Sequence, residues 1–283
     1  MILVINTKGG SGKSTTSMQL LAPWVLERTG KAALVELDDE NHDSADFTDS
    51  AIQSERVKVG KEVDAEFAID QLIARTDDAY VIADIGGNRT SAMALQHIGA
   101  RGYDAFIDMI VVPVSGPGQD VANAKKTLDH VRELMPDYDG KILMVMTRTT
   151  STDVRSVRRR MPDAFALLDR EKLAGPIILP NDNSFPMSRT LKMSAWEIAQ
   201  QGEELKGQLR DAMREARNNP QKREELAMLT AVVNDSVGMK EHLETQFSEL
   251  DKVLDLRAII QQHAADTAPA KPAKKEKAAE QSA

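Results

Sequence analysis

Eight consecutive residues near the start of the chain, Lys8-Gly9-Gly10-Ser11-Gly12-Lys13-Ser14-Thr15, have the types and order needed to enclose a polyphosphate. Glycine lets backbone N–H groups converge on phosphate oxygens where a Cβ would obstruct them. A helix beginning at the loop adds its own free N–H groups and the positive end of its dipole. Lys13 can reach the β- and γ-phosphates as a point charge, and the Ser14 hydroxyl is a hard oxygen ligand suited to Mg²⁺. Such a loop must lie between a strand and a helix. Ile2 to Ile5 is a short continuous apolar run, as a strand buried on both faces should be. Lys13 to Glu27 reads as a helix with Met18, Leu21 and Val25 on its apolar face and Pro23 as a kink.

Two acidic strand ends accompany the loop. The strand Ala32 to Leu37 runs into Glu36-Leu37-Asp38-Asp39-Glu40-Asn41. A carboxylate at the carboxyl end of a parallel strand, beside the phosphates, is placed to orient water; Asp38 is the candidate, with Asp39 as its fallback and a solvated acidic loop as the other reading. The strand Tyr80 to Ile85 carries Asp84, placed like the acid that in P-loop ATPases holds Mg²⁺ through water, and is followed by Gly86 and Gly87. Glycines there suit a switch whose N–H, at Gly87, could sense a γ-phosphate.

Three more strands are expected at Ile107–Val114, Lys141–Met146 and Pro176–Leu179, mostly with helices between them. Alternation of this kind implies an α/β fold: a mostly parallel sheet with helices on both faces. Beyond about residue 195 the pattern is helical only. Ser194–Arg217 reads as one charged helix, broken by Asn218-Asn219-Pro220, and Gln221–His263 as a second, interrupted near Gly238. Leu243, Phe247, Leu250 and Leu254 form a heptad-like stripe. Such a stripe either packs on the chain's own domain or docks a partner. The expected division is 1–210 for the phosphate-loop domain, 211–265 for a C-terminal helical extension and 266–283 for a tail with little to bury, expected to be disordered.

Composition narrows the chemistry. The 283 residues contain no cysteine, which removes disulfides, thiolate metal sites, iron–sulfur clusters and cysteine nucleophiles together. That is compatible with a reducing cytoplasm, the location expected. A net charge of −8 means that nucleic acid could be met only through a local basic patch. Arg155, Arg158 and Arg159 share a helical face and could make one, with Arg160 adjacent; a solvated helix face is the plainer reading. No apolar run approaches membrane-spanning length, and the start of the chain does not read as a signal peptide.

The loop departs from the common phosphate-loop pattern at one place, with Thr7 where glycine is usual, and has Lys8 followed by two glycines. In this it resembles the deviant loop of the ParA/MinD ATPases, a P-loop NTPase class. The resemblance implies that ATP and Mg²⁺ are bound and hydrolysed. It implies a homodimer formed with ATP, in which Lys8 crosses to the nucleotide of the other subunit and Asp38 positions the attacking water. Glu36, Asp39 and Glu40 depart from the family's Asp-x-Asp-Pro-Gln, and Gly86-Gly87 replaces its two prolines. Val111 to Asp120 looks like the family segment after its next strand. Thr147-Arg148 stands where the family has Asn-Arg beside the purine, so that Arg148 either stacks on adenine or is a surface cation. Pro180-Asn181-Asp182-Asn183 resembles the purine-side loop of nitrogenase reductase, or is an ordinary turn; Asp182 is its candidate contact.

The implied function is positioning or segregation of plasmid, chromosome or protein cargo, with nonspecific DNA binding and a stimulating protein partner. With the first strand at residue 2, no operator-binding domain is expected ahead of it. Membrane attachment is not expected, because residues 240–260 carry more acid than base. Two alternatives are a small-molecule ligase or amidase-type relative, which generally lacks the first lysine, and an ATP-gated adaptor docking a partner through its C-terminal helices.

Overall fold

A computed structural model of the protein describes residues 1–38, 47–59, 62–75, 80–87 and 89–266. Asp39, Glu40, Asn41 and the tail from 267 onward lie outside the described residues.

The chain begins with β1 (Ile2–Val4), the phosphate loop and α1 (Lys13–Thr16), continuing through a π-helical turn (Ser17–Leu21) into α2 (Ala22–Thr29). Then come β2 (Ala32–Asp38), β3 (Ile52–Lys58), α3 (Glu62–Ala74), β4 (Tyr80–Ile85), α4 (Arg89–Arg101), β5 (Met109–Val114) and α5 (Gln119–Leu134). β6 (Lys141–Thr149), α6 (Val154–Arg160), α7 (Pro162–Glu171) and β7 (Ala174–Pro180) complete the sheet. The described residues beyond it are mostly helical: α8 (Ser184–Met187), α9 (Ala195–Gln200), α10 (Gly202–Glu215), α11 (Pro220–Val253) and α12 (Leu256–Asp266). The sheet has seven strands in the order β3-β2-β4-β1-β5-β6-β7. Every pairing is parallel. β1 is therefore central, which puts the loop after it in the middle of the carboxyl edge.

Side-chain alternation along each strand divides the apolar residues between two faces. Leu3, Val35, Leu37, Val81, Ala83, Ile110 and Val112 pack on one side with α3, α4, α5 and α7. Ile2, Val4, Leu34, Ile82, Met109, Val111 and Val145 pack on the other, with Leu20, Leu21 and Trp24 of the segment behind the loop. That second layer is completed from the far end of the sequence by Leu243, Phe247 and Leu250 of α11 and Leu256 of α12. The leucine stripe therefore packs on the chain's own sheet. Asp251 pins the arrangement: it accepts from Trp24 Nε1 at 2.9 Å and from Arg28 at 2.9–3.1 Å. Burial raises the Asp251 pKa, but the bonds from Arg28 and Trp24 outweigh it and hold the carboxyl below its usual range. The first half of α11 instead joins α10 and α9 in a small separate cluster around Ile198, Val232 and Val233.

Several expectations need correction. β3, with the sequence IQSERVK, is a strand that apolar patterning does not reveal; it is an edge strand with polar residues facing water. The helix expected over Ser194–Arg217 is two, meeting at Gln201. α11 runs unbroken through Gly238, and the break falls at Leu254–Asp255 instead. Thr147 and Arg148 lie within β6, not after the strand. Pro23 does not simply kink its helix. It cannot donate to the Gln19 carbonyl four residues back, and the turn before it widens to π geometry.

At the β7 edge, Ile178 N donates to Gln246 Oε1 at 2.9 Å, and His242 Nε2 donates to Ile178 O at 2.8 Å. Two residues to either side, where the backbone N–H would face the same way, stand Pro176 and Pro180. Burial pushes the His242 pKa down, so the ring is the neutral donor tautomer at neutral pH.

If α11 is part of the core, Phe247→Ala lowers unfolding free energy by about 3–5 kcal/mol in urea titration. Met228→Ala on the same helix, 55% exposed, changes it by less than about 0.5 kcal/mol.

Candidate nucleotide-binding site

Asn6, almost wholly buried, turns the chain out of β1: its Nδ2 donates to Pro113 O at 2.7 Å, and its Oδ1 accepts from Lys8 N at 2.9 Å. Gly10 and Gly12 then take positive φ, 73° and 90°. At Gly12 conformation and space agree, because a Cβ there would stand 2.6 Å from Thr147 Oγ1. Thr147 Oγ1 donates to Ser11 O at 2.9 Å, tying the loop to β6. Nothing lies within 4 Å of where a Cβ would be at Gly9 or Gly10, so the loop backbone is open toward its concave side. Lys13 is buried and its Nζ donates to Lys8 O at 3.3 Å. Thr16 N closes the first helical turn on Gly12 O at 2.9 Å.

Beside the loop is a cavity of about 190 Å³ lined by Ser14, Thr15, Gln19, Glu36, Asp84, Thr147, Arg148, Asp182 and Phe185, among others. The structure thus brings together the loop, Ser14, Asp84, Arg148 and Asp182. Asp84 is 3% exposed and Glu36 2%. They are register partners across β4 and β2, so two buried acidic residues on neighbouring strands line the cavity together with Ser14. Sequence reading noted Glu36 only as a departure from a family pattern. Its register with Asp84, a property of strand pairing, is what places it here. Gly87 sits against the loop: a Cβ on it would be 3.1 Å from Gly9 N. The Gly86-Gly87 segment is anchored by Gly86 N donating to Leu37 O and Ser91 Oγ donating to Gly86 O, each at 2.6 Å. Asp38 closes β2 opposite Lys58; its side chain lies outside the description.

On the base side, Arg148 has φ 53° at a register irregularity between β6 and β7, which turns a strand residue out toward the cavity. Asp182 Oδ1 accepts from Ser184 N at 2.8 Å, so it shapes its own turn as well as lining the cavity. Gln19, held open by the π turn, gives Nε2 to Ser188 Oγ at 3.0 Å and accepts from Ala195 N at 2.8 Å. This joins the helix behind the loop to α8 and α9. Lys8 is paired with Asp120 in the first turn of α5, a partner that the sequence reading did not assign. Burial raises the Asp120 pKa, yet bonds from Lys8 and Ser115 hold it below the usual carboxylate range. The pair therefore persists at neutral pH and is lost only as pH falls through that lowered value. Arg155, Arg158 and Arg159 are not part of the cavity. They stand exposed on α6, which Asp153 caps through Ser156 N at 2.8 Å. Arg158 lies 4.5 Å from the Phe165 ring centre and pairs with Asp169 at 3.3 Å.

Residues 1–137 match the model of the family described as ATPase MipZ. That family, matched over just under half of the chain, is of the ParA/MinD ATPase type. Three solved structures are similar at low identity. The MinD cell division protein of Aquifex aeolicus is 13% identical over 68% of this chain and 86% of that one, with a TM-score of 0.45. Apo McdA of Cyanthece is 16% identical over 68% and 90%, with 0.46. The septum site-determining protein MinD from Pyrococcus horikoshii, complexed with Mg-ADP, is 13% identical over 84% and 97%, with 0.45. No curated protein sequence matches the chain. No helix among the described residues is long and apolar enough to cross a membrane.

The residues of the cavity fit a magnesium nucleotide. In the adjoining loop and helix, outside the cavity lining, Ser11 Oγ and Thr16 Oγ1 are buried with no hydrogen-bond partner among the described residues. The Ser14 hydroxyl with Asp84 and Glu36 makes an all-oxygen donor set of the type a hard divalent cation takes. Gly12→Ala should lose about tenfold or more in affinity for a fluorescent ATP analogue, because it combines a strained φ with the Thr147 clash. The circular dichroism spectrum should be unchanged.

Proposed function

We propose that this chain is a positioning ATPase that binds Mg-ATP in the cavity, pairs with a second copy while ATP is bound, and separates after hydrolysis. The observation that carries this reading is the division of labour between the loop's two lysines. Lys13 is buried under the loop, whereas Lys8 stands at the loop's mouth with its side chain 39% exposed. One cation is placed for the chain's own phosphates and the other can be reached from outside.

Bound Mg-ATP would supply the phosphoanhydride that is broken and the charge whose loss releases the dimer. The chain's residues bind and orient. The N–H groups of Gly9 to Thr15 and the Lys13 ammonium hold the phosphates. Ser14, Asp84 and Glu36 hold the cation, directly or through water. Asp38 orients the attacking water, and Gly87, against the loop backbone, responds to the γ-phosphate. Arg148 and Asp182 meet the base.

Cargo binding through DNA rests on Arg155, Arg158 and Arg159. Their exposure on one capped helix supports the assignment, and the Arg158 link to Asp169 weakens its share. The adaptor alternative loses its leucine stripe to the core. The ligase alternative would require a small metabolite for turnover.

Lys8→Ala should abolish ATP-dependent dimerisation in sedimentation velocity while nucleotide affinity is retained. Asp38→Ala should instead accumulate the ATP dimer; unchanged turnover would remove Asp38 from the mechanism. Replacing Arg155 and Arg159 by Gln should weaken DNA binding at low salt and reduce the slope of log affinity against log salt by about 2. An unaltered slope would make the patch ordinary surface.

A further inference from the structure

Asp120 has no role in the function proposed above, yet it is the group that holds Lys8. Its Oδ1 accepts from Lys8 Nζ and its Oδ2 accepts from Ser115 Oγ at 2.6 Å. The turn wraps the carboxylate closely: a Cβ on Gly116 would stand 3.3 Å from Asp120 Oδ2. The Asp120 side chain is only 13% exposed against 39% for Lys8. The positive charge of Arg148 also acts on it, more weakly than Lys8 does. Lys8 is fixed at its other end by its own N–H on Asn6 Oδ1. Both partners thus stand on rigid supports at the carboxyl ends of β1 and β5, and the pair lies within one chain.

A lysine bonded in this way is folded onto its own chain and not extended toward a nucleotide held by another molecule. Extending it separates it from a partly buried carboxylate, and that separation opposes association. We propose that Asp120 is a positioning residue that keeps Lys8 folded back onto its own chain and so sets the threshold at which two ATP-bound chains pair. The proposal rests on the reading that Lys8 acts across a dimer interface. The opposite role is equally definite: an Asp120 that stays bonded and aims Lys8 at the partner would strengthen the dimer, not oppose it.

The test uses the full chain with Mg²⁺ and a non-hydrolysable ATP analogue. Sedimentation equilibrium of Asp120→Asn should give a dimer Kd lower by about fivefold, the size expected of one partly exposed ion pair. Asp120→Glu should restore the wild-type value, and the Lys8→Ala, Asp120→Asn double variant should stay monomeric. A second readout does not depend on dimerisation. Trace acetylation of the monomer, read by mass spectrometry, should modify the Lys8 amine several-fold faster in Asp120→Asn than in wild type. A general loss of structure would raise the reactivity of other buried lysines such as Lys13 as well. Equal Lys8 reactivity, or a dimer Kd unchanged or raised in Asp120→Asn, overturns the proposal. If neither wild type nor Asp120→Asn dimerises, the dimer reading and the proposal fall together. The acetylation rates then report whether the pair itself exists.

Discussion

The contact between the loop at Gly12 and the Thr147 side chain is the constraint on which the site is built. Backbone and hydroxyl come so close that only glycine fits, and the φ of 90° at that residue independently demands it. The hydrogen bond from Thr147 Oγ1 to Ser11 O then fixes the loop to β6. β6 also carries Arg148 at its next residue. One strand therefore fixes the loop and the Arg148 side of the cavity relative to each other. The same loop backbone meets Gly87 on its other flank, where a Cβ would stand 3.1 Å from Gly9 N.

A parallel sheet with apolar side chains on both faces needs two covering layers. One is supplied in the usual way by the helices that connect the strands. The other is shared between the helix behind the phosphate loop and helices more than two hundred residues away, α11 and α12. Trp24 and Arg28 bond to Asp251, so this layer is joined by directed contacts as well as by apolar packing. Gln19 joins the same helix to α8 and α9 through buried amide bonds. The helix that presents the phosphate-binding residues is consequently braced along its length by the C-terminal part of the chain.

Much of this was legible in the residues because it obeys short-range rules. The loop announces itself through glycine, lysine and serine spacing, and the six expected strands, largely apolar in sequence, are all in the sheet. β3 escaped because an edge strand needs only one apolar face, and IQSERVK supplies barely that. The continuity of α11 through Gly238 escaped because a lone glycine costs a helix only about 1 kcal/mol, less than tertiary packing returns. Glu36 and Asp120 belong to the site's surroundings through strand register and a contact across 112 positions of sequence, neither of which local spacing encodes. Arg148 was assigned to the base side from resemblance alone. The irregularity that turns it out of β6 is a property of pairing with β7.

The treatment of β7 limits how this protein can associate. Along that flank Pro176 and Pro180 offer no N–H, and the amide and carbonyl of Ile178 between them are already occupied by Gln246 and His242. Few N–H groups are left there for an incoming strand, which disfavours fibril-like growth or sheet fusion from that side. The opposite flank, β3, is the other place where the described sheet could be extended by strand addition.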